Sequence, residues 1–299
     1  MYGYRMTGVP TGTSVKNVDE LGGYEERLRA ALPSFFSPLT VVAKTPSTMA
    51  VAADLADAGA PEGTTVVAEE QTAGRGRLGR SWVAPPGSSL LVSVVLRPPL
   101  PVRSVWLCAA LAGVSLAEAV RAVAAADLPV GSPTNSPVGL KWPNDLLIGG
   151  RKAAGLLAET RMEGERLAGV ILGMGVNVNQ GLMEGVAGWA PEVASRATSV
   201  ALAAGHPVDR AALLGAWGER FLAGYRQLAD GAPGAILAAY RDQLETIGQP
   251  VRATRLDAAP VDGTAVDLTP NGSLVVLTSS GRRVEVSAAD VEHLRLATG

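Results

Sequence analysis

The amino-acid sequence predicts an α+β fold, with a large domain of alternating strands and helices followed by a small all-β domain. Two observations predict this class. From about residue 25, segments with an apolar residue at every third or fourth position alternate with β-branched segments, as helices and strands do within one domain. From Gly248 onward only short strand patterns remain, separated by Asp-Gly, Asn-Gly and Ser-Gly turns, which is typical of a small barrel of about five strands.

These patterns divide the 299 residues into three predicted parts. Residues 1–24 are rich in Gly, Thr and Ser and lack apolar periodicity, so we predict a flexible N-terminal tail. The large domain is predicted over residues 25–246 and the barrel over residues 247–299. A hydrophobic content of 47% and a charged content of 18% suit a compact protein whose large domain buries a core.

The composition argues against several classes of protein. No apolar run reaches about 18 residues, and the N-terminus lacks the basic-then-apolar order of a secretory signal. The single cysteine, Cys108, rules out an internal disulfide, and with only two histidines the chain cannot build a zinc cage. A net charge of −2 gives no general attraction to nucleic acid. We therefore expect a cytoplasmic protein that binds neither membranes nor nucleic acid.

The elements of the large domain can be read in chain order. Apolar and β-branched runs predict strands at 39–44, 64–70 and 88–97, and at the two segments from 139 and 151 that flank a Gly-Gly turn. A further strand is predicted at 166–180. Apolar residues three and four positions apart predict helices at 47–59, 101–127 and 207–231, the first opened by a Ser/Thr cap and the last by Asp209. Residues 129–137 are broken by Pro, Ser and Gly and predict a loop.

An arginine–glycine stretch directly follows the second strand. In "QTAGRGRLGRSW" three glycines alternate with three arginines, Arg75, Arg77 and Arg80, and the stretch ends in Trp82. Glycine allows backbone N–H groups to approach a ligand closely, and arginine matches carboxylate or phosphate oxygens with two donors. The stretch therefore predicts a loop that wraps a small anion. A solvated basic loop and an RNA-binding patch are the alternatives, although RNA-binding segments of this kind are usually repeated.

A second polar cluster lies in "KWPNDLL" at 141–147. Pro143 cannot donate to a sheet and marks a bulge or an edge, where strands often direct side chains at a ligand. Asn144 can read an amide-like or adenine edge with one donor and one acceptor. Asp145 can pair with a nearby cation or hold Mg²⁺ through oxygen. A hairpin with an Asp-capped turn is the simpler alternative.

A lysine stands about ten residues further on, in "GRKAAGLLAE". Lys152 precedes a strand of small residues that contains Gly155, so its ammonium can reach a tight pocket and act on a carboxylate or phosphate. An ordinary surface lysine at a turn is the alternative.

Together these segments resemble one known family. "STM" at 47–49, "GRGRLGRSW", "KWPNDLL", "RKAAGLLAE" and "GMGVNVN" occur in the order and spacing of biotin protein ligases, the biotin–[acetyl-CoA-carboxylase] ligases, over roughly residues 30–299. The resemblance implies a mixed β-sheet with packed helices, of the class II aminoacyl-tRNA synthetase and biotin ligase type, and a C-terminal SH3-like barrel. It also implies that ATP and biotin are substrates, with Mg²⁺, and that a lysine of a biotin carboxyl carrier protein is biotinylated through biotinyl-5′-AMP.

The resemblance also implies roles for individual residues. Lys152, Arg77 and Asp145 would be catalytic, with Asp145 orienting Lys152 or a metal ion. The nucleotide would be bound by Arg77, Lys152, Asn144 and Asn177. Biotin would contact a larger set, namely Ser47, Thr48, Gln71, Gly74, Arg75, Gly76, Arg77, Trp82, Lys152 and Gly155.

The chain departs from the family pattern in three places. Members that repress transcription carry an N-terminal helix-turn-helix, whereas only a short polar segment precedes the catalytic pattern here, so we expect a ligase without DNA binding. We separately expect a monomer or a homodimer. Met49 stands where a polar residue is common, and the loop at 129–137 is longer than usual.

Two alternative functions are considered beside the biotin protein ligase. One is a lipoate or octanoate ligase, whose His-bearing Gly-Gly-Gly motif is missing, and the other is a non-catalytic biotin sensor.

Overall fold

The computed structural model describes residues 16–124, 137–182, 189, 191–255, 258–287 and 289–294. Residues 1–15 of the predicted tail and residues 129–136 of the predicted loop lie outside this part of the chain.

A seven-stranded mixed sheet forms the centre of the large domain, in the order β1-β2-β3-β7-β6-β5-β4. β1 and β2 are parallel, and each later neighbouring pair is antiparallel. The mixed sheet is the predicted one. Its strands are β1 (Leu39–Thr45), β2 (Thr65–Gln71), β3 (Ser89–Leu96), β4 (Val138–Lys141), β5 (Asp145–Ile148), β6 (Arg151–Glu163) and β7 (Arg166–Asn177).

Helices cover both faces of this sheet. α2 (Thr48–Asp57) packs on one face, where Met49 and Ala52 meet Val66, Val95 and Ile171 in a small core of their own. The main core lies on the other face, beneath α3 (Trp106–Ala124), α6 (Arg210–Ala229) and the helices packed on them. The remaining helices are α1 (Lys16–Ala31), α4 (Pro191–Ala194), α5 (Val200–Ala204) and α7 (Pro233–Asp242).

The α3 helix is long and largely apolar. The segment Val102–Ala124 is long and apolar enough to cross a membrane, but 72% of its most apolar window is buried inside the fold. Thirteen residues of α3 are buried, Cys108 among them, so α3 is the central core helix of the domain. The predicted helix at 101–127 begins later than expected, because Val102–Ser104 form a separate 3₁₀ turn.

The helix α1 corrects part of the tail prediction. Residues 16–24, predicted as flexible, belong to this helix, which packs on α6. Tyr24 and Leu28 are buried, four positions apart on one face, and anchor the helix to the core. Gly22 and Gly23, which weaken a helix, conceal this pattern in the sequence.

The C-terminal domain is a five-stranded antiparallel sheet, ordered β11-β10-β9-β8-β12, as predicted for the SH3-like barrel. Its strands are β8 (Pro250–Thr254), β9 (Val261–Leu268), β10 (Leu274–Leu277), β11 (Arg283–Val286) and β12 (Asp290–His293). The β9–β10 turn docks on the large domain, where Trp142 Nε1 donates to the Gly272 carbonyl at 2.9 Å. A Cβ added at Gly272 would lie 2.5 Å from the Trp106 ring, so only glycine allows this approach.

Candidate active site

A trough crosses the sheet on the face that carries α2, and glycines form its floor. Gly173 on β7 stands in register with Ser93 and Leu157, and Gly175 stands in register with Leu91 and Gly155. Residues two positions apart in a strand point to the same face, so Gly173 and Gly175 open the same side of the sheet. Two side chains from other elements lie directly on these glycines.

Met49 and Trp82 are those two side chains. A Cβ added at Gly173 would lie 2.5 Å from Met49 Sδ. A Cβ at Gly175 would lie 2.6 Å from Trp82 Cε2, and one at Gly155 would lie 3.1 Å from Trp82 Cζ3. The glycines therefore make room for a thioether at one end of the trough and an indole in its middle.

A polar cluster surrounds the N-terminus of α2 at the inner end of the trough. Gln71 Oε1 accepts from both the Thr48 amide at 2.7 Å and the Thr48 hydroxyl at 3.1 Å, and Ser93 Oγ donates to Thr48 Oγ1 at 2.8 Å. Ser47 occupies the N-cap position without capping the helix, and its buried hydroxyl has no hydrogen-bond partner among the described residues. A buried hydroxyl of this kind requires a partner, and a polar ligand can supply it.

The arginine–glycine stretch folds into a small hairpin over the trough. The Trp82 amide donates to the Gly74 carbonyl at 2.9 Å, and the Gly76 amide donates to the Arg80 carbonyl at 2.7 Å. A Cβ at Gly74 would collide with the Trp82 carbonyl, so glycine is required there. Leu78, at the tip, has φ +57°, an unusual left-handed conformation for a residue with a side chain.

The three arginines of this hairpin have different surroundings. Arg75 pairs with Glu159 on β6 at 3.3 Å, and Arg80 pairs with Asp290 on β12. Arg77 has no ion-pair partner in the described part of the chain and lines the trough. Burial lowers the pKa of Arg77 below its usual value, and the field of Asp145 opposes this shift. Arg77 is therefore the loop arginine that is free to meet an anionic ligand.

The KWPND segment forms a rigid corner between β4 and β5. Lys141 stands opposite Asp145, and a cis peptide bond joins Trp142 to Pro143. The Tyr240 hydroxyl donates to the Pro143 carbonyl at 2.8 Å. Asn144 lines the trough, and its Nδ2 donates to the Leu156 carbonyl at 2.6 Å, which fixes the orientation of its amide.

Lys152 and Asp145 meet at the outer end of the trough. Lys152 Nζ lies 2.6 Å from Asp145 Oδ1 and 5.7 Å from the centroid of the Trp82 ring. With Arg77 nearby, this end of the trough carries an excess of positive charge. An anion that enters this end would therefore meet preorganised cations, which is the arrangement that stabilises charge in a transition state.

Two further ionisable groups near the trough, Lys141 and His293, are partly buried. Burial lowers the pKa of Lys141, which lines the trough, while Asp145 opposes the shift. Burial also lowers the pKa of His293 on β12 to about 4, with a smaller effect from Lys141. His293 Nε2 lies 3.2 Å from Thr246 Oγ1, which in turn accepts from the Trp142 amide at 3.0 Å. The C-terminal domain thus reaches the KWPND corner through Thr246.

Most of the residues predicted for the site line this trough. They are Ser47, Thr48, Gln71, Arg75, Gly76, Arg77, Trp82, Asn144, Asp145, Lys152 and Gly155. Gly74 lies behind them and supports the hairpin. Asn177, predicted to bind nucleotide, is buried away from the lining and donates through Nδ2 to the Thr198 carbonyl at 3.1 Å.

Sequence reasoning overlooked several lining residues. Asp290 and its neighbours on β12 reach the trough from the C-terminal domain, and no local pattern indicates that contact. Met49, Gly173 and Gly175 also line it. The two glycines carry a detectable signal, because glycines two positions apart inside an apolar strand mark a close approach of other atoms.

A resident metal site is not built into the described residues. Among them, no group of three His, Cys, Asp or Glu side chains is placed to hold a metal ion. Asp145, for which the sequence left open pairing with a cation or holding Mg²⁺, is paired with Lys152. A magnesium ion that enters with ATP would be part of the substrate.

Two family models match the chain. The Biotin/lipoate A/B protein ligase family matches residues 41–177, and the Biotin protein ligase C terminal domain matches residues 246–294. The first range holds the trough from β1 to β7, and the second holds the C-terminal sheet.

Three curated relatives are similar over most of their length. The biotin–[acetyl-CoA-carboxylase] ligase of Mycobacterium tuberculosis is 37% identical over 261 residues, which are 86% of this chain and 89% of the relative. The ligase of the same name from Paracoccus denitrificans is 34% identical over 84% of this chain and 98% of its own length. The bifunctional ligase/repressor BirA of Bacillus subtilis is 34% identical over 82% of this chain and 71% of its own length.

Solved structures show the same fold. The biotin protein ligase of Aquifex aeolicus in complex with biotin and ATP superposes with a TM-score of 0.69, at 24% identity, over 86% of this chain and 100% of that chain. The biotin protein ligase of Leishmania major in complex with biotinyl-5-AMP superposes with a TM-score of 0.54, at 26% identity, over 84% and 99% of the two chains.

Proposed function

We propose that this chain uses ATP to attach biotin to a lysine of a biotin carboxyl carrier protein. The chain belongs to the biotin/lipoate A/B protein ligase family and, within it, is a biotin protein ligase. The relatives named biotin–[acetyl-CoA-carboxylase] ligase support an acyl-CoA carboxylase as the source of that carrier protein.

The distribution of polar and charged groups along the trough supports biotin as the substrate. The trough has uncharged polar groups at its inner end, around Ser47 and Gln71, and cations at its outer end, Arg77 and Lys152. Biotin has the matching distribution, with a urea in its ring system and a carboxylate at the end of an apolar tail. The Ser47 hydroxyl would satisfy its hydrogen bond with the urea, and the carboxylate would meet the cations.

The first step joins two anions. An oxygen of the biotin carboxylate attacks the α-phosphorus of ATP, the bond to the bridging oxygen breaks, and pyrophosphate leaves. The chain's own contribution is fixed positive charge from Arg77 and Lys152, with Asp145 holding the ammonium of Lys152 in place. ATP arrives with Mg²⁺, which shields the negative charge of its phosphates.

The second step transfers the acyl group. The amine nitrogen of the carrier lysine attacks the carbonyl carbon of biotinyl-5′-AMP, the bond to the phosphate oxygen breaks, AMP leaves, and the amine loses a proton. The mixed anhydride is prone to hydrolysis, so the site must exclude water while it waits for the carrier. The arginine–glycine hairpin supplies that cover, with Trp82 packed on Gly155 and Gly175.

The decisive experiment measures pyrophosphate release with MgATP and either biotin, lipoate or octanoate, together with the intact mass of a biotin carboxyl carrier domain. We expect release with biotin and a gain of one biotinyl group on the carrier. Release with lipoate or octanoate alone would assign the chain to the other branch of the family. Tight biotin binding without release would leave a sensor.

We also propose how this ligase is restricted in activity and where it acts. The chain acts as a ligase without repressor activity, which a mobility-shift assay on the promoter DNA of biotin-synthesis genes would test; a specific complex would contradict it. The protein acts in the cytoplasm, where carboxylases and ATP are found, and cell fractionation would test this location.

A further inference from the structure

The inner end of the trough is closed by one contact between α2 and β7. Met49 follows the polar residues Ser47 and Thr48 in the first turn of α2, and its side chain is only 5% exposed. A Cβ added at Gly173 would lie 2.5 Å from Met49 Sδ and 2.8 Å from its Cγ. The thioether therefore rests on the bare backbone of Gly173, and both residues line the trough.

The surroundings hold Met49 in that position. Its cluster contains Ala52 one turn further along α2 and the strand residues Val66, Val95 and Ile171. Gly173 on β7 stands in register with Ser93 on β3 and Leu157 on β6. The Ser93 hydroxyl donates to Thr48 Oγ1, and Leu157 also lines the trough. The helix turn that offers polar groups to a ligand thus also presents an apolar, polarisable wall beside them.

We propose that Met49, seated on Gly173, is the specificity-determining residue that limits the size and polarity of the ring accepted at the inner end of the trough. This inference rests on the proposed function. A compact ring system whose remaining surface is hydrocarbon and thioether fits against Met49. A ring that carries additional polar atoms on its sulfur meets a wall that offers no hydrogen bond and cannot recede, because Gly173 and the α2 cluster lie behind it.

The first test compares biotin with biotin sulfone, whose sulfur carries two oxygens, by kcat/KM for pyrophosphate release. In the wild type we expect biotin to be preferred by roughly 100-fold, the range that a tight pocket achieves against an added group. In Met49→Ala the preference falls to less than about tenfold, because the space occupied by the thioether opens. Met162→Ala, at a methionine that is 46% exposed, keeps the wild-type preference and serves as the matched control.

The second test uses the contact itself. Gly173→Ala places a methyl group against Met49 and pushes it into the trough, so KM for biotin rises by about tenfold while kcat changes less. In Met49→Ala/Gly173→Ala the added methyl has space, and much of the loss is recovered. Gly234→Ala, on α7 with open space around it, is the matched control for a glycine substitution.

The outcomes separate the inference from the proposed function. A wild type that releases no pyrophosphate with biotin overturns both. A wild type that turns over biotin, with the same preference over the sulfone in Met49→Ala, overturns the role of Met49 alone. Equal losses from Gly173→Ala with and without Met49 also overturn it, because the two residues would then not act through their contact.

Discussion

Lys152 and Asp145 form an ion pair at the mouth of the trough, with Nζ 2.6 Å from Oδ1. They lie on adjacent strands joined by the Gly149-Gly150 turn, and a register shift follows Leu146 in the pairing of β5 with β6. Both side chains are partly exposed, at 37% and 21%, so the pair is accessible to a ligand from the trough. The carboxylate therefore positions the lysine without enclosing it.

Loss of Lys152 should remove most of the activity. We expect Lys152→Ala to reduce pyrophosphate release by at least about 100-fold, since one preorganised donor to developing charge is worth roughly 3–4 kcal/mol. Arg151→Ala, at the exposed neighbouring position, is the matched control and should stay within about twofold of the wild type. Near-normal release from Lys152→Ala would exclude the residue from the chemistry.

Loss of the Asp145 carboxylate should act through Lys152. We expect Asp145→Asn to lower kcat about tenfold, because a misplaced catalytic cation loses transition-state contact, while KM for biotin changes by less than about threefold. Asp262→Asn, which removes an ion pair within the C-terminal sheet, is the control. Equal effects on kcat in wild-type and Lys152→Ala backgrounds would show that Asp145 acts independently of the lysine.

The loop arginines should differ sharply in importance. Arg77→Ala should lose at least about 100-fold in kcat/KM, because Arg77 is the loop arginine free to meet the ligand. Arg75→Ala removes an exposed pair with Glu159 that contributes about 0–1 kcal/mol, so it should lose no more than about fivefold. Steady-state kinetics on both variants measure the difference, and similar losses would refute the assignment.

The packing of Trp82 should control leakage of the intermediate. In Gly175→Ala the new methyl displaces the indole, so we expect more pyrophosphate released per carrier biotinylated, by about threefold or more, as water reaches the mixed anhydride. Parallel assays of pyrophosphate and carrier mass give this ratio. Gly234→Ala should leave it unchanged, and an unchanged ratio in Gly175→Ala would argue against a protective role for Trp82.

His293 should make stability depend on pH below neutrality. Its pKa is about 4 in the folded protein against 6.5 for the free side chain, so the unfolded chain binds the proton first. Its stabilising contribution is full above pH 6.5 and is lost as the pH falls towards 4. After a discount for partial exposure, we expect this loss in the free energy of unfolding to be about 1–2 kcal/mol. Urea unfolding at pH 7.5 and at pH 5 measures this: the free energy of unfolding should fall less between the two pH values in His293→Gln than in the wild type.

The overall architecture follows largely from local sequence patterns. The β-branched runs, the long apolar helix and the turn-rich C-terminal segment each predicted the element that forms, because periodicity reports burial on one face. Asp209 caps α6 as predicted, accepting from the Ala211 amide at 2.8 Å. The helices α1, α4, α5 and α7 escaped prediction. Glycines interrupt α1, and α7 is a short helix whose buried face rests on only Ile236 and Tyr240.

The sequence by itself determined which chemical groups are present: the glycine-hinged arginines, the KWPND corner and Lys152. Only the tertiary structure decided which of these groups face the trough and which are paired elsewhere. It directed Arg77 into the trough while Glu159 and Asp290 engaged Arg75 and Arg80, it turned Asn177 away, and it set Met49 and Trp82 on a glycine floor. The physical reason is the separation in sequence over which each kind of information acts. Local periodicity encodes which face of an element is buried, whereas strand register and domain docking join residues up to 210 positions apart.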